Sequence, residues 1–299
     1  MTIREIEKTP QLPILFGKAA LTGHTRRGGP LPATVYRQSG MRIDTAHLAR
    51  YDRVCGLAVS DELPTTYPHM LSFPLQAKLM TDGDFPFPLV GSVHVANRIT
   101  VHRPLLVTDV LELSVHCENL RPHPRGMQFD VISTARAQGE RVWHEASTYL
   151  RRGAGASPAG EKPPEQASED TRTGDPGQAA AALTFRVPAD TGRRYAEVSG
   201  DRNPIHLHPL TARLFGFSSA IAHGMWTKAR CLAALQHRLP GAYTVNVAFK
   251  LPILLPATVD LGCTRVDEPS GEAGWNLLLR SHRDGKPHLR GSVRTLAPS

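Results

Sequence analysis

Period-two alternation marks the later part of each half of this chain. Leu111, Leu113, Val115 and Cys117 point one way while Glu112, Ser114 and His116 point the other, and Met127, Phe129 and Val131 repeat the period. In the second half Trp275, Leu277 and Leu279 alternate with Asn276 and Arg280. Glycine-containing steps at 139–140 ("GE") and 284–286 ("DGK") predict hairpin turns between the last strands of each half. These are antiparallel meanders rather than βαβ units. A different period rules "HGMWTKARCLAALQHRLP". Met225, Ala229, Leu232, Leu235 and Leu239 recur at helical steps, and Pro240 closes the run, which predicts one helix reaching almost to that proline.

Residues 152–182 carry almost no large apolar side chain and are rich in Pro, Gly, Ala, Glu and Ser. Such a segment buries too little surface to offset the entropy of ordering it, so it reads as a flexible linker between domains at 1–151 and 183–299. The two halves repeat each other. "RYDRVCG" (50–56) aligns with "RYAEVSG" (194–200) at one offset, and 94–113 parallels 246–261 as a strand, a proline, a polar step and another strand. A helix followed by a curved antiparallel sheet, occurring twice, predicts an α+β fold of the double hotdog type. The segment 63–91, rich in Pro, Phe and Met, is expected to replace the helix in the first half and, its flexible apolar residues suiting an alkyl ligand, to shape a tunnel for one.

Composition narrows the class. With 299 residues, 40% of them hydrophobic, the chain can bury a real core, and no apolar run is long enough to span a membrane. "LPILFGKAAL", near the start, is interrupted by Pro13 and Lys18. A cytoplasmic, unprocessed protein is expected. Cys55, Cys117, Cys231 and Cys263 lie far apart, which predicts buried reduced thiols rather than a zinc site or disulfide framework. The net charge of +8 favours an anionic small molecule or acidic carrier protein over nucleic acid, because no basic run is interleaved with aromatics.

Candidate chemistry concentrates in "SGDRNPIHLHP" (199–209), which admits three readings: a polar turn, a metal-binding pair of histidines, or acid/base machinery. With "AHGM" (222–225) and "FKLPILLPATV" (249–259), "YAEVSGDRNPIH" (195–206) resembles the signature of the MaoC-like (R)-specific enoyl-thioester hydratases and 3-hydroxyacyl-thioester dehydratases. The whole chain is similar to double-hotdog mycobacterial and actinobacterial members. The resemblance implies reversible dehydration of (R)-3-hydroxyacyl thioesters and hydration of trans-2-enoyl thioesters in fatty-acid metabolism. It implies no metal and no cofactor, the substrate being carried on coenzyme A or the phosphopantetheine of acyl carrier protein. Two double-hotdog chains paired as a homodimer are compatible with it.

The same resemblance makes Asp201 and His206 the catalytic pair and gives Gly224 the thioester oxygen. Which of Asp201 and His206 moves which proton is not legible. Asn203 and Pro204 frame the turn, His223 either takes part in catalysis or supports the start of the helix, the latter being favoured, and Thr227 either hydrogen-bonds near the site or packs. Lys250 is open between a contact to the carrier phosphate and an ordinary strand lysine, while His208 is a bystander and Tyr195 a packing residue. At the repeat offset Leu57 stands at the position of Asp201 and Glu62 at that of His206, so the first half is expected to be a non-catalytic, substrate-binding hotdog. A hotdog thioesterase and a non-enzymatic acyl-thioester binding module are the rival readings.

Overall fold

The computed structural model describes residues 1–22, 26, 28–89, 91–153, 183–267 and 273–296. The predicted linker therefore lies outside the described residues, apart from Arg152 at the end of a strand and Gly153 in the turn after it. The first half contains β1 (Thr2–Glu5), α1 (Leu12–Thr22), β2 (Thr34–Met41), α2 (Thr45–Cys55), α3 (Tyr67–Thr81), β3 (Ser92–Val101), β4 (Leu111–His123), β5 (Gly126–Ala137) and β6 (Glu140–Arg152). The second contains β7 (Leu183–Val187), α4 (Thr191–Ser199), α5 (Pro204–Leu207), α6 (Pro209–Leu214), α7 (Gly224–Ala233), β8 (Tyr243–Phe249), β9 (Ala257–Asp267), β10 (Ala273–Ser281) and β11 (Pro287–Thr295).

All the strands belong to one sheet in the order β1-β2-β4-β5-β6-β3-β8-β11-β10-β9-β7. The halves join where β3 pairs antiparallel with β8. Thr100 sits opposite Thr244, 144 positions away, with their hydroxyl oxygens 3.0 Å apart. The predicted hairpin turns are present, Gly139 and Gly285 both taking positive φ between their strands. The duplicated heptapeptide proves to be the end of the same helix in each half. Helices α2 and α4 stop at Gly56 and Gly200, whose φ values of 69° and 68° suit a residue without a Cβ.

Tyr51 and Tyr195 are buried, their rings 6.2 Å apart. Each also meets the residue capping the central helix of its own half. The Tyr51 hydroxyl lies 2.7 Å from Thr66 Oγ1 at the start of α3, and the Tyr195 ring lies 4.9 Å from that of His223 at the start of α7. Thr66 thus occupies in the first half the place of His223 in the second.

Two expectations need correction. Segment 63–91 does not replace the central helix; it contains it. Helix α3 is buried nearly all round, so it shows no amphipathic stripe, and its Pro68 sits in the first turn where a missing N–H costs little. Pro74, inside the helix, masked it further. The second helix, in turn, ends at Ala233 rather than near Pro240. Leu235 N–H bonds to Leu232 in a tighter turn, and the Gln236 side chain leaves to bind both the N–H and C=O of Ala58 in the first half.

Between α3, α7 and the sheet lies a buried polar network. Glu145 accepts from His69 Nδ1 (2.9 Å), Asn97 Nδ2 (2.7 Å) and Gln76 Nε2 (3.2 Å). Lys228 of α7 donates to Asn97 Oδ1 at 2.5 Å, tying the second helix to the first-half strands. Burial raises the carboxyl of Glu145, but His69, Asn97 and Lys228 outweigh it and hold the group below its usual range. Burial brings Lys228 down to about 7. Replacing Glu145 with Leu would strand these donors and leave Lys228 without its counter-charge. A loss on the order of 3 to 5 kcal/mol is expected in urea unfolding.

Candidate active site

The chain leaves α4 through Gly200 and turns sharply at Asp201. Asp201 N–H donates to Ser199 Oγ (3.1 Å), and its own Oδ1 accepts from Asn203 N–H (3.1 Å), a short side-chain turn that leaves Oδ2 free of that bond. Asn203 then caps α5, its side-chain oxygen accepting from Ile205 N–H, and Pro204 takes the first helical position. The proline therefore opens a single helical turn, where the sequence predicted only a turn. That helix places His206 at its third residue, 9% exposed.

His206 Nδ1 lies 2.8 Å from the Ile221 carbonyl oxygen. A carbonyl can only accept, so Nδ1 carries the proton and Nε2 keeps its lone pair. The backbone of His206 rests against Gly192 of α4. A Cβ at Gly192 would fall far inside van der Waals contact of the His206 carbonyl oxygen.

His223 completes the cluster. Its Nε2 donates to the Asp201 carbonyl oxygen at 3.0 Å and lies 3.7 Å from Asp201 Oδ2, and its ring stacks on that of His206 with centroids 3.6 Å apart. Its Nδ1 is enclosed without a partner. Gly224 follows as the first residue of α7, where helical N–H groups have no intrahelical acceptor and the helix dipole favours negative charge. A Cβ on Gly224 would stand 3.1 Å from the Phe249 ring. Thr227, buried, donates its hydroxyl to the His223 carbonyl at 3.0 Å and so secures the first turn of α7.

Electrostatics keep both imidazoles neutral near pH 7. Burial pushes His206 below its ordinary value of 6.5, against the opposing pull of Asp201 and the Ile221 carbonyl. Burial and the neighbouring His206 push His223 well below it. Below pH 6.5 the unfolded chain takes up protons that these folded sites resist. Stability is therefore expected to be fully present above that pH and to fall as the solution is acidified, a trend that thermal unfolding at stepped pH would read.

Asp201, His206 and His223 bring ligand-type atoms within 4.8 Å of one another. Carbonyl bonds occupy one nitrogen of each ring, leaving His206 Nε2 and His223 Nδ1. His208, the other histidine of the motif, is exposed and caps α6 by accepting Leu210 N–H. Lys250 is exposed and follows Phe249 directly, its N–H donating to the His288 carbonyl at 2.8 Å.

Other residues of this site escaped the sequence reading. Gly192 lies inside a helix with no spacing signal to distinguish it. From the first half come Tyr149 and His94, stacked at 4.8 Å, with His94 5.1 Å from Phe249. Burial, then the charges of Glu145 and Asp201, pushes the Tyr149 phenol up, which places it within the field of the Asp201 carboxylate.

Comparison with known proteins bears on this geometry. The model of the MaoC like domain matches residues 157–274. The 3-hydroxyacyl-thioester dehydratase X of Mycobacterium tuberculosis is 39% identical over 270 residues, which cover 90% of this chain and 92% of that one. The crystal structure of HtdX from the same organism superposes with a TM-score of 0.74 at 38% identity, over 88% of this chain and 100% of its own. Another M. tuberculosis protein, described as a double hotdog, aligns over 90% of this chain and 96% of its own with a TM-score of 0.56. At 14% identity it shares the fold alone.

Proposed function

Because the chain belongs to the MaoC-like family of dehydratases and hydratases, we propose that it interconverts (R)-3-hydroxyacyl and trans-2-enoyl thioesters. The observation that supports this is that Asp201, His206 and His223 bring polar side-chain atoms within 4.8 Å of one another, with Gly224 opening α7 directly after His223. Hydration needs a water that is held and deprotonated, a proton delivered to C2, and a stabilised negative charge on the thioester oxygen. A neutral buried His206 is a base at pH 7, and Asp201, steadied through its backbone by His223 and through Oδ1 by Asn203, would act on the same water. Positioned acid/base groups of this kind contribute about a hundred- to ten-thousand-fold. The amide of Gly224 would take the developing oxyanion, a donor worth on the order of a hundred- to a thousand-fold elsewhere.

Substrate would arrive on coenzyme A or acyl carrier protein, with Lys250 at the mouth as a phosphate contact. The acyl chain would follow the aromatic series that leads away from Gly224 through Phe249, His94 and Tyr149 to Phe129, Phe87 and Phe85. Activity peaking with four-carbon substrates and declining steadily with length would contradict that route. Among the described residues no helix is long and apolar enough to cross a membrane.

Thiol titration during turnover separates this reading from a thioesterase. Hydration consumes the conjugated thioester absorbance and releases no thiol, whereas one thiol per absorbance lost would mean hydrolysis. The same assay tests the cluster as a metal site. Activity after prolonged EDTA treatment and gel filtration is expected to match that of untreated protein.

A further inference from the structure

A cavity of about 350 Å3 opens away from Asp201 and His206, at the start of α3. Its position is that of the candidate active site carried through the internal repeat. Leu57 follows left-handed Gly56 as Asp201 follows left-handed Gly200. Glu62, which the uniform repeat offset sets against His206, instead matches Ile221, because it bridges to Leu106 as Ile221 bridges to Leu254. Thr66 precedes α3 and meets Tyr51 as His223 precedes α7 and meets Tyr195. Leu57, Glu62 and Thr66 all line the cavity.

The groups proposed for chemistry in the second half are not matched here. Leu57 has no carboxylate, and the shorter connection from Gly56 to α3 carries no histidine. Tyr67 stands in the place of Gly224, and Pro68 behind it has no N–H to offer an oxyanion.

The space is nevertheless open. Leu63, Val101, Leu105 and Trp143 wall it from the first half, and Leu232 and Leu239 from the second. Its interior polar groups are already satisfied. The Thr65 hydroxyl pairs with Tyr243 Oη at 2.5 Å, and Trp143 Nε1 donates to the Thr65 carbonyl at 2.9 Å. The apolar side chains among its walls suit an alkyl chain. Hydrogen-bonding side chains on Ser60, Glu62, Gln236 and His237 complete the lining. Glu62 is exposed, and its carboxylate disfavours a fatty-acid anion while tolerating a neutral thioester. The cleft is partly open to solvent, and its volume falls within the range of small-molecule sites.

We propose that the first half binds a second acyl thioester without transforming it, with the acyl chain between Trp143 and Leu232 and the thioester among the polar side chains of Ser60 and Gln236. The ligand class rests on the function proposed above; the cavity and its place in the repeat do not. Equilibrium dialysis with octanoyl-CoA, which offers no double bond to hydrate and no 3-hydroxyl to eliminate, is expected to find two sites per chain. Leu63→Trp should reduce the count to one while hydration of a short enoyl-CoA stays within twofold.

Should that variant fail to fold, hydrogen exchange on the unaltered chain gives an independent reading. Octanoyl-CoA should protect amides in 57–66 as well as those in 201–206, whereas octanoate should protect neither. One site per chain, or protection confined to 201–206, would overturn the proposal and leave the hydratase reading intact. Two sites without turnover would do the reverse.

Discussion

In a His206→Ala protein, hydration of a 2-enoyl thioester falls on the order of a hundred- to ten-thousand-fold, while KM changes little. The expectation rests on the tautomer set by the Ile221 carbonyl. With Nδ1 engaged as a donor, Nε2 is the only ring atom able to accept the proton of the attacking water. Burial favours that neutral form, so the base persists below pH 6.5, and the acidic limb of kcat/KM should break under that value. Asp201→Asn should cost a comparable factor. Because the two groups would serve one water, the double variant should be little worse than either single one. Initial rates across pH 5 to 9 for the three variants check all of this. Independent, multiplicative losses would mean that the two side chains do not act on a common proton.

A methyl group at Gly192 is expected to do nearly as much damage without touching any reacting atom. The Cβ of a Gly192→Ala protein would overlap the His206 carbonyl oxygen, which belongs to backbone and cannot swing aside. Either α4 or the turn carrying His206 must shift. Overpacking of this kind costs roughly 1 to 3 kcal/mol. A displacement near 1 Å in a catalytic group costs about a hundredfold in rate. Gly17→Ala in α1 is the control, since nothing lies within 4 Å of its would-be Cβ. Thermal unfolding and kcat measured side by side should show both losses in the first variant and neither in the second. Equal behaviour of the two would remove Gly192 from the account.

Much of this molecule was legible in its residues, and the parts that were not have identifiable causes. Strand β4 announced itself because its faces alternate between core and surface, whereas β5 and β10 bury runs of consecutive residues and alternate only in part. The repeat at Tyr51 and Tyr195 was visible because a left-handed helix end admits glycine and a shared packing position admits tyrosine. Helix α3 was hidden because burial on all sides erases the stripe by which a helix is recognised, and Pro68 and Pro74 read as breakers. The end of α7 was misjudged because Leu235 and Leu239 stay apolar after the backbone has tightened out of the helix; only the departure of Gln236 toward Ala58 explains the change.

At the site, Asp201, His206 and Gly224 were named through the resemblance of 195–206 and 222–225 to the MaoC-like signature. What could not be read was how they are held: the carbonyl that fixes the His206 tautomer, the His223 bond to the Asp201 backbone, and the Gly192 contact. These are long-range contacts between backbone and side chain, and nothing in local sequence periodicity encodes them. The first-half contribution of Tyr149 and His94 was hidden for the same reason, since it depends on β3 and β6 lying beside β8 in a single sheet.

The central claim is that this constellation adds water to a 2-enoyl thioester with one handedness. Incubating the purified protein with trans-2-enoyl-CoA and resolving the configuration of the 3-hydroxyacyl product tests it most directly. The account predicts the (R) product from the unaltered chain and its near-complete loss in Asp201→Asn. An (S) product, or an (R) product formed equally well by that variant, would contradict it.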